Sequence, residues 1–363
     1  MNWLLIFLGF SLLIILHEAG HFVVAKATGM RVERFFLFFG PTIWSVRRGE
    51  TEYGIKAIPL GGYVKITGMN PEEEIPPEVE ERAYYRQPVW KRIAVIAAGP
   101  AVNIVLAFAI FAFVYLVNAQ QVTQSVGEVR NGSPAAKVLE PGDQILAVDG
   151  RAFPGLEREE RLDRFKEQVA SHKCAGKQVD GCAAMTPVAL RISRNGQVRT
   201  IAVTPEYDKG QERALIGFAY GTEPDEIGLG TAVSRARDTV WLVTTKTASI
   251  FSRIFESEQR KKISGPVGIS DVANQTIEIG VYPSLLLLAL VSLSLGLINL
   301  LPILPLDGGH IFWSLFEKLR GRPASLQVME RATAIGFVLV VILMFIGLTN
   351  DIGRLNGEGF DVR

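Results

Sequence analysis

LLIILHEAGHFVVAK, Leu12 to Lys26, sets two histidines and a glutamate inside a run otherwise apolar enough for a lipid bilayer. An ionisable side chain at bilayer depth is costly, so it marks a functional site by default. From Trp3 to Ala25 the run is nearly all apolar, interrupted by His17, Glu18 and His21. It reads as a membrane-spanning helix that carries chemistry. A secretory signal is the competing reading, because the run starts at Met1. Against it, no Lys or Arg precedes Lys26, and the apolar length exceeds a signal core.

Three further apolar runs follow: Ile93 to Val117, broken by Gly99, Pro100 and Asn103, then Ser284 to Leu301, then Ala332 to Leu348. Each approaches the roughly 20 residues needed to cross a hydrocarbon core. The expected fold is a polytopic α-helical membrane protein with four transmembrane helices and a soluble domain between the second and third. A chain of 363 residues has room for it. The net charge of +1 gives no basic field for nucleic acid. The 48% hydrophobic content is ordinary; its distribution is not.

Basic residues near span ends set the orientation. Residues 1–25 carry none, whereas 31–92 carries Arg31, Arg34, Arg47, Arg48, Lys56, Lys65, Arg82, Arg86, Lys91 and Arg92. The connection after the third helix carries Lys318, Arg320, Arg322 and Arg331, and the tail only Arg354 and Arg363. This places the amino terminus, the central domain and the tail outside, with the 31–92 loop in the cytoplasm. Cys174 and Cys182 then lie in an oxidising compartment and are expected to form a disulfide across CAGKQVDGC, with two free thiols as the alternative.

His17-Glu18-Ala19-Gly20-His21 fits H-E-x-x-H. Residues four apart share a helix face, so both imidazoles can hold one metal ion, and the glutamate between them can serve as general base. Only four histidines occur in the chain, two of them here. Imidazoles satisfied by backbone carbonyls would leave Glu18 unexplained. A catalytic zinc site needs a third protein ligand and an open position. Asp307 and His310, in INLLPILPLDGGHIF (Ile298 to Phe312), are the candidates, and the residues alone leave both open. Prolines and paired glycines break the third helix here, as is tolerated where backbone lines a protein cavity. At 1.5 Å per residue, His17 to His21 lie roughly 21–27 Å below the outer face. Asp307 ends a crossing that also starts outside, so the two motifs reach one level near the cytoplasmic side.

Here the chain resembles the site-2 proteases, a family of intramembrane zinc metalloproteases, and most of all the bacterial regulator-of-sigma-E protease-like branch. The family's N-x-x-P-x-x-x-x-D-G stands as Asn299, Pro302, Asp307 and Gly308, its G-P-x-x-N as Gly99, Pro100 and Asn103, and its G-P-V-G-I as Gly265 to Ile269. The resemblance implies Zn2+ held by His17, His21 and Asp307, with Glu18 as the catalytic base. It puts Asn299, Asn103, Gly40 and Pro302 among the substrate-binding residues. It further implies a multi-pass protein of the bacterial cytoplasmic (inner) membrane, and single-pass transmembrane substrates of anti-sigma factor or signal-peptide type, pre-cleaved by a site-1-type protease.

The domains expected begin with the first half of the membrane domain over 1–118, with a membrane-associated β-hairpin at 31–66, and a PDZ-like domain over 122–206. An extracytoplasmic linker over 207–282 carries an amphipathic helix at 232–256; the second half of the membrane domain covers 283–348 and a tail 349–363. The hairpin strands RVERFFLFFGPTIWSV and ETEYGIKAIPLGGYVKI resemble the family's substrate-pairing element, except that its Gly-x-Gly reads Phe38-Phe39-Gly40. A plain interfacial anchor is the other reading. The PDZ resemblance rests on VGEVRNGSPAAKVLEPGDQILAVDGRAF and on the turn signal Asn195-Gly196. Such a domain binds extended chain ends by strand addition; a steric plug is the alternative. One such domain is found, where better-known relatives carry two. The helix near 232–256 suits the outer leaflet, with packing on protein as the alternative. Pro71 to Glu81 reads as a solvated linker and His172 as a surface residue.

Two competing readings are a membrane-anchored PDZ adaptor with an inactive metal site, and a metal transporter. The adaptor predicts a missing base or third ligand, yet Glu18 and Asp307 are present. The transporter needs more intramembrane polar residues than four helices supply here.

Overall fold

The computed structural model describes residues 2–70, 73–253 and 265–355. The chain divides into two compact units, one of residues 1–117 with 228–363 and one of 118–227.

In the first unit, four helices are long and apolar enough to cross a membrane: α1 (Asn2–Ala27), α2 (Val89–Val117), α6 (Val281–Asn299) and α8 (Leu326–Leu355). Three more are α4 (Leu229–Ser252), α5 (Pro266–Ile279) and α7 (Asp307–Arg320). The central helix is α2, in contact with α1, α4, α6 and α7. Small residues permit this crowding. A Cβ on Gly20 of α1 would stand 2.6 Å from the Ala98 carbonyl oxygen of α2, so the two backbones touch there. Ala107 and Phe111 of α2 pack with Ala236 of α4 and with Ala289 and Leu293 of α6.

The amphipathic helix α4 therefore lays Ala232, Ala236, Val240 and Val243 toward protein. Val233 is exposed, and residues 254–256 of the expected 232–256 helix lie outside the described residues. Small alanines, which allow close approach, form the buried face.

Between α1 and α2 run two long strands, β1 (Val32–Arg48) and β2 (Thr51–Ile66). They form more than a plain hairpin. Arg34 to Leu37 are paired on both sides, with Gly62 to Lys65 on one and Glu52 to Ile55 on the other. Trp44 to Arg48 return along Thr51 to Ile55. The lateral order is thus 62–66, 32–37, 51–56, 42–48. Left-handed backbone at Phe38 (φ 69°) and Gly40 (φ 85°) turns β1 back on itself. Among the described residues, the segment Gly62–Ile66 has a strand partner on one side only.

The second unit holds an antiparallel sheet in the order β6-β5-β4-β3-β9, made of β3 (Gln120–Val129), β4 (Gln144–Val148), β5 (Val188–Arg194), β6 (Gln197–Val203) and β9 (Phe218–Pro224). A short pair, β7 (Glu206–Asp208) and β8 (Arg213–Leu215), stands apart. Helix α3 (Arg158–Ala170) buries Leu162, Phe165 and Val169 against Ile145, Leu190 and Ile192. Asn195-Gly196 makes the two-residue turn between β5 and β6, both residues at positive φ. The unit extends beyond the boundary of 206 drawn from sequence, because β9 returns to pair with β3. FAYGTEP carries Gly and Pro and no clear alternation, so its strand character depends on that partner.

Cys174 and Cys182 are disulfide-bonded. His172 is more than a surface residue: its Nε2 lies 2.9 Å from Asp149 Oδ2 and its Nδ1 2.8 Å from the Thr186 hydroxyl. In the acidic stretch after β2, Glu73 is tied to Lys65 and accepts from the Gly68 N–H.

Candidate metal centre

Helix α1 continues without interruption through the motif, so His17 and His21 fall one turn apart on the face toward α2, both buried. Their Nε2 atoms are 3.2 Å apart. Asp307, first residue of α7, points Oδ2 at the same spot, 3.2 Å from His17 Nε2 and 3.4 Å from His21 Nε2. One ligand atom from each of the three lies within 4.8 Å of the others. His310 is not a member of this cluster. The chain reverses sharply before α7, and Gly308 and Gly309 press on the backbone of residues 300–304, where a Cβ on either would collide. That close packing turns the first residue of the helix inward.

The other imidazole nitrogens are occupied. The His21 Nδ1–H donates to the Val95 carbonyl at 2.8 Å, which leaves the Nε2 lone pair facing the cluster. Pro100 in α2 has no N–H for the Ile96 carbonyl, which loosens the helical ladder at that turn. His17 Nδ1 lies 3.1 Å from the Asn103 side-chain amide, whose oxygen is otherwise buried and unpaired. Turning that amide over gives the oxygen the Nδ1–H and again frees Nε2, an assignment that the hydrogen-bond network decides.

The donor set fits a metal ion. Asp307 Oδ2 is a buried oxygen with no hydrogen-bond partner, and it converges with two imidazole lone pairs that would otherwise repel it. Two nitrogens and one carboxylate oxygen leave a fourth position, as in a catalytic zinc site. A Cβ on Gly99 would collide with His21 Nε2 and stand 2.9 Å from His17 Nε2, so only glycine leaves that space to the cluster.

Glu18 sits on the neighbouring turn face, against the free edge of β2. A Cβ on Gly62 would lie 3.0 Å from Glu18 Cγ. Asn103 is fully buried behind His17, with its side-chain amide on the Nδ1 of that imidazole. Gly40 lies at the bend of β1 against Ile58. Asn299 ends α6, and Pro302 is exposed in the turn that follows. None of these three joins the metal cluster. Sequence reasoning missed the Val95 carbonyl, which as a backbone atom leaves no signature, and the close approach at Gly20.

Four candidate spans around a buried two-histidine, one-carboxylate cluster define a multi-pass membrane protein with the site of a metallopeptidase. The family model described as Peptidase family M50 matches residues 5–343. Among relatives, the chain is 31% identical over 442 aligned positions to the "Regulator of sigma-E protease RseP" of Escherichia coli (strain K12), covering 95% of this chain and 97% of that one. That alignment is longer than this chain, so the relative carries inserted segments absent here. The "Zinc metalloprotease Rip1" of Mycolicibacterium smegmatis is 32% identical, covering 92% of this chain and 90% of the other. A solved PDZ domain of the SdrC-like protein from Listeria monocytogenes is similar at 21% identity, covering 28% of this chain and 88% of that one, with a TM-score of 0.21. This chain belongs to peptidase family M50 and is a metalloendopeptidase.

Proposed function

We propose that this peptidase is zinc-dependent and hydrolyses a peptide bond within or near a transmembrane segment of single-pass membrane proteins. The observation that carries the reading is the convergence of His17, His21 and Asp307 beside Glu18, on helices apolar enough to span a bilayer. Zinc bound by those three side chains would polarise the scissile carbonyl and acidify a water.

The Glu18 carboxylate accepts the proton of the attacking water and returns it to the leaving amine. A helical substrate hides its carbonyls in its own hydrogen bonds, so it must unwind before attack. The unpartnered edge Gly62–Ile66 borders Glu18, and an unwound stretch added to it as a strand would lie beside the base. Asn299, at the end of α6, and Pro302, in the turn that leads to Asp307, would line the approach of the scissile carbonyl.

The basic residues of 31–92 and 318–331 put the metal centre near the cytoplasmic side of a bacterial inner membrane and residues 118–227 outside it. The outer unit acts as a PDZ-like domain that receives substrate ends left by a first, site-1-type cut. A relative named for regulating sigma-E points to anti-sigma-factor-like substrates.

The test is Glu18→Gln in the full chain, assayed on a single-pass reporter together with bound zinc. Zinc content should match the wild type while cleavage falls by about 100-fold or more, the usual contribution of a general base. Equal cleavage by the two proteins removes Glu18 from the chemistry.

A further inference from the structure

Helix α7 has an inner face accounted for by the metal centre and an outer face that is exposed among the described residues. Inside, Gly308, Gly309 and Ser314 are buried, and Glu317 meets Arg92. Outside, Phe312 (47% exposed) is followed three, four and seven residues on by Leu315 (46%), Phe316 (37%) and Leu319 (88%), forming one apolar stripe. At its end stand Lys318 and Arg320, then Arg322 and Arg331, all exposed and in no ion pair among the described residues. One carboxylate, Glu330, falls among these four cations. The Arg320 guanidinium lies over the Phe316 ring, 5.9 Å from its centre, so charge and stripe meet on one surface. The helix lies in the chain between two spans, α6 ending at Asn299 and α8 starting at Leu326, so connectivity holds it near the membrane surface.

We propose that α7 is an interfacial helix whose outer face binds the anionic phospholipids of the adjoining leaflet. The stripe supplies the apolar side that sinks to the acyl boundary, and the unpaired cations meet phosphate headgroups, Lys and Arg extending along the surface to do so. Each cation near an anionic leaflet contributes attraction of its own, so a cluster gives a preference and not mere residence in lipid. The same helix begins with Asp307, so headgroup binding grips the element that presents the third metal-ligand candidate. The proposal rests on the four apolar helices spanning a bilayer, not on the peptidase chemistry.

The experiment uses the full chain in vesicles of phosphatidylcholine with phosphatidylglycerol, with trace spin-labelled phosphatidylglycerol or phosphatidylcholine as probe. The ratio of protein-restricted probe signals gives the preference for the anionic lipid without any assay of cleavage. Wild type should favour phosphatidylglycerol. The triple variant Lys318→Gln, Arg320→Gln, Arg322→Gln should lose that preference by about fivefold, the attraction of one cation, or more. The control Arg47→Gln, Arg48→Gln, on β1, should keep it. All five side chains are exposed, so neither variant removes a buried contact. No preference in the wild type, an unchanged preference in the triple variant, or an equal loss in the control would each overturn the proposal.

Discussion

Arg92 of α2 and Glu317 of α7, 225 residues apart in sequence, meet as a two-pronged pair at 3.0 and 2.6 Å. The Arg92 side chain is only 10% exposed, with the Tyr84 ring 5.9 Å from its guanidinium carbon. Glu317 lies three turns beyond Asp307, so the pair fixes how α7 is rotated and where its first residue points. Glu317→Ala leaves a nearly buried guanidinium without its counter-charge. Breaking a fully buried pair costs about 3–5 kcal/mol; with Glu317 partly exposed, about 2–3 kcal/mol is expected. Thermal unfolding in detergent should show that loss, and the exchanged pair Arg92→Glu with Glu317→Arg should recover some of it. A single variant as stable as wild type would show that the fork does not hold the helix.

The Asn103 amide is the partner of His17 Nδ1 and presents no exposed surface. Replacing it by Leu keeps the branched shape of the side chain but removes the group that fixes the imidazole's orientation and tautomer. Removing such a supporting hydrogen bond lowers metal affinity by about 10- to 100-fold. Competition with a coloured chelator should therefore strip zinc from Asn103→Leu at lower chelator concentration than from wild type. Were Asn103 a substrate-binding residue, zinc affinity would stay unchanged and only turnover would drop.

The histidines and Glu18 were legible in the sequence because their chemistry is expensive at bilayer depth and nothing bland explains all three. Depth counting brought Asp307 to their level, yet it could not choose between Asp307 and His310. That choice is made by which residue begins α7 and by two glycines packed on backbone, features of tertiary contact. The first three spans were legible to within a few residues, since apolar length is a local property. The return of β9 to β3, the buried alanine face of α4 and the doubled pairing of Arg34 to Leu37 were not. Each depends on a partner distant in sequence, and a one-dimensional pattern records no partner. His172 looked like a surface residue for the same reason: Asp149 and Thr186, which hold it, come from separate segments.

The Cys174–Cys182 bond closes a loop with a sequence separation of 8 whose other ties include the Gly181 N–H to the Tyr207 carbonyl, the Tyr207 N–H to the Cys182 carbonyl and the Lys209 N–H to the Asp180 carboxylate. In the chain-entropy picture a loop this short contributes about 2–3 kcal/mol to the stability of the unit that holds it. Cys174→Ser with Cys182→Ser should lower the unfolding midpoint of residues 118–227 within the full chain, and proteolysis should begin between 174 and 182. Wild type treated with reductant should behave like the double variant, whereas zinc content should not change. An identical melting curve for the two proteins would make the bond dispensable to the fold.

Glu50, in the turn between β1 and β2, accepts both prongs of Arg82 and also the Lys26 ammonium. The Arg82 guanidinium first, and then Lys26, hold the Glu50 carboxyl well below the usual 4.5, at about 2. A group whose pKa falls on folding adds stability that is complete above its unfolded value and disappears as the pH drops through the folded one. The contribution of this cluster is therefore full above about pH 4.5 and fades between there and about pH 2. The carboxylate is 28% exposed, so solvent screening limits the effect to about 1 kcal/mol. Glu50→Gln should be less stable than wild type by that amount at pH 7, with the two curves converging as pH falls toward 2. Thermal unfolding of both proteins across that range measures the gap. A gap that stays constant with pH would mean that packing of the side chain, and not its charge, holds the turn to α1.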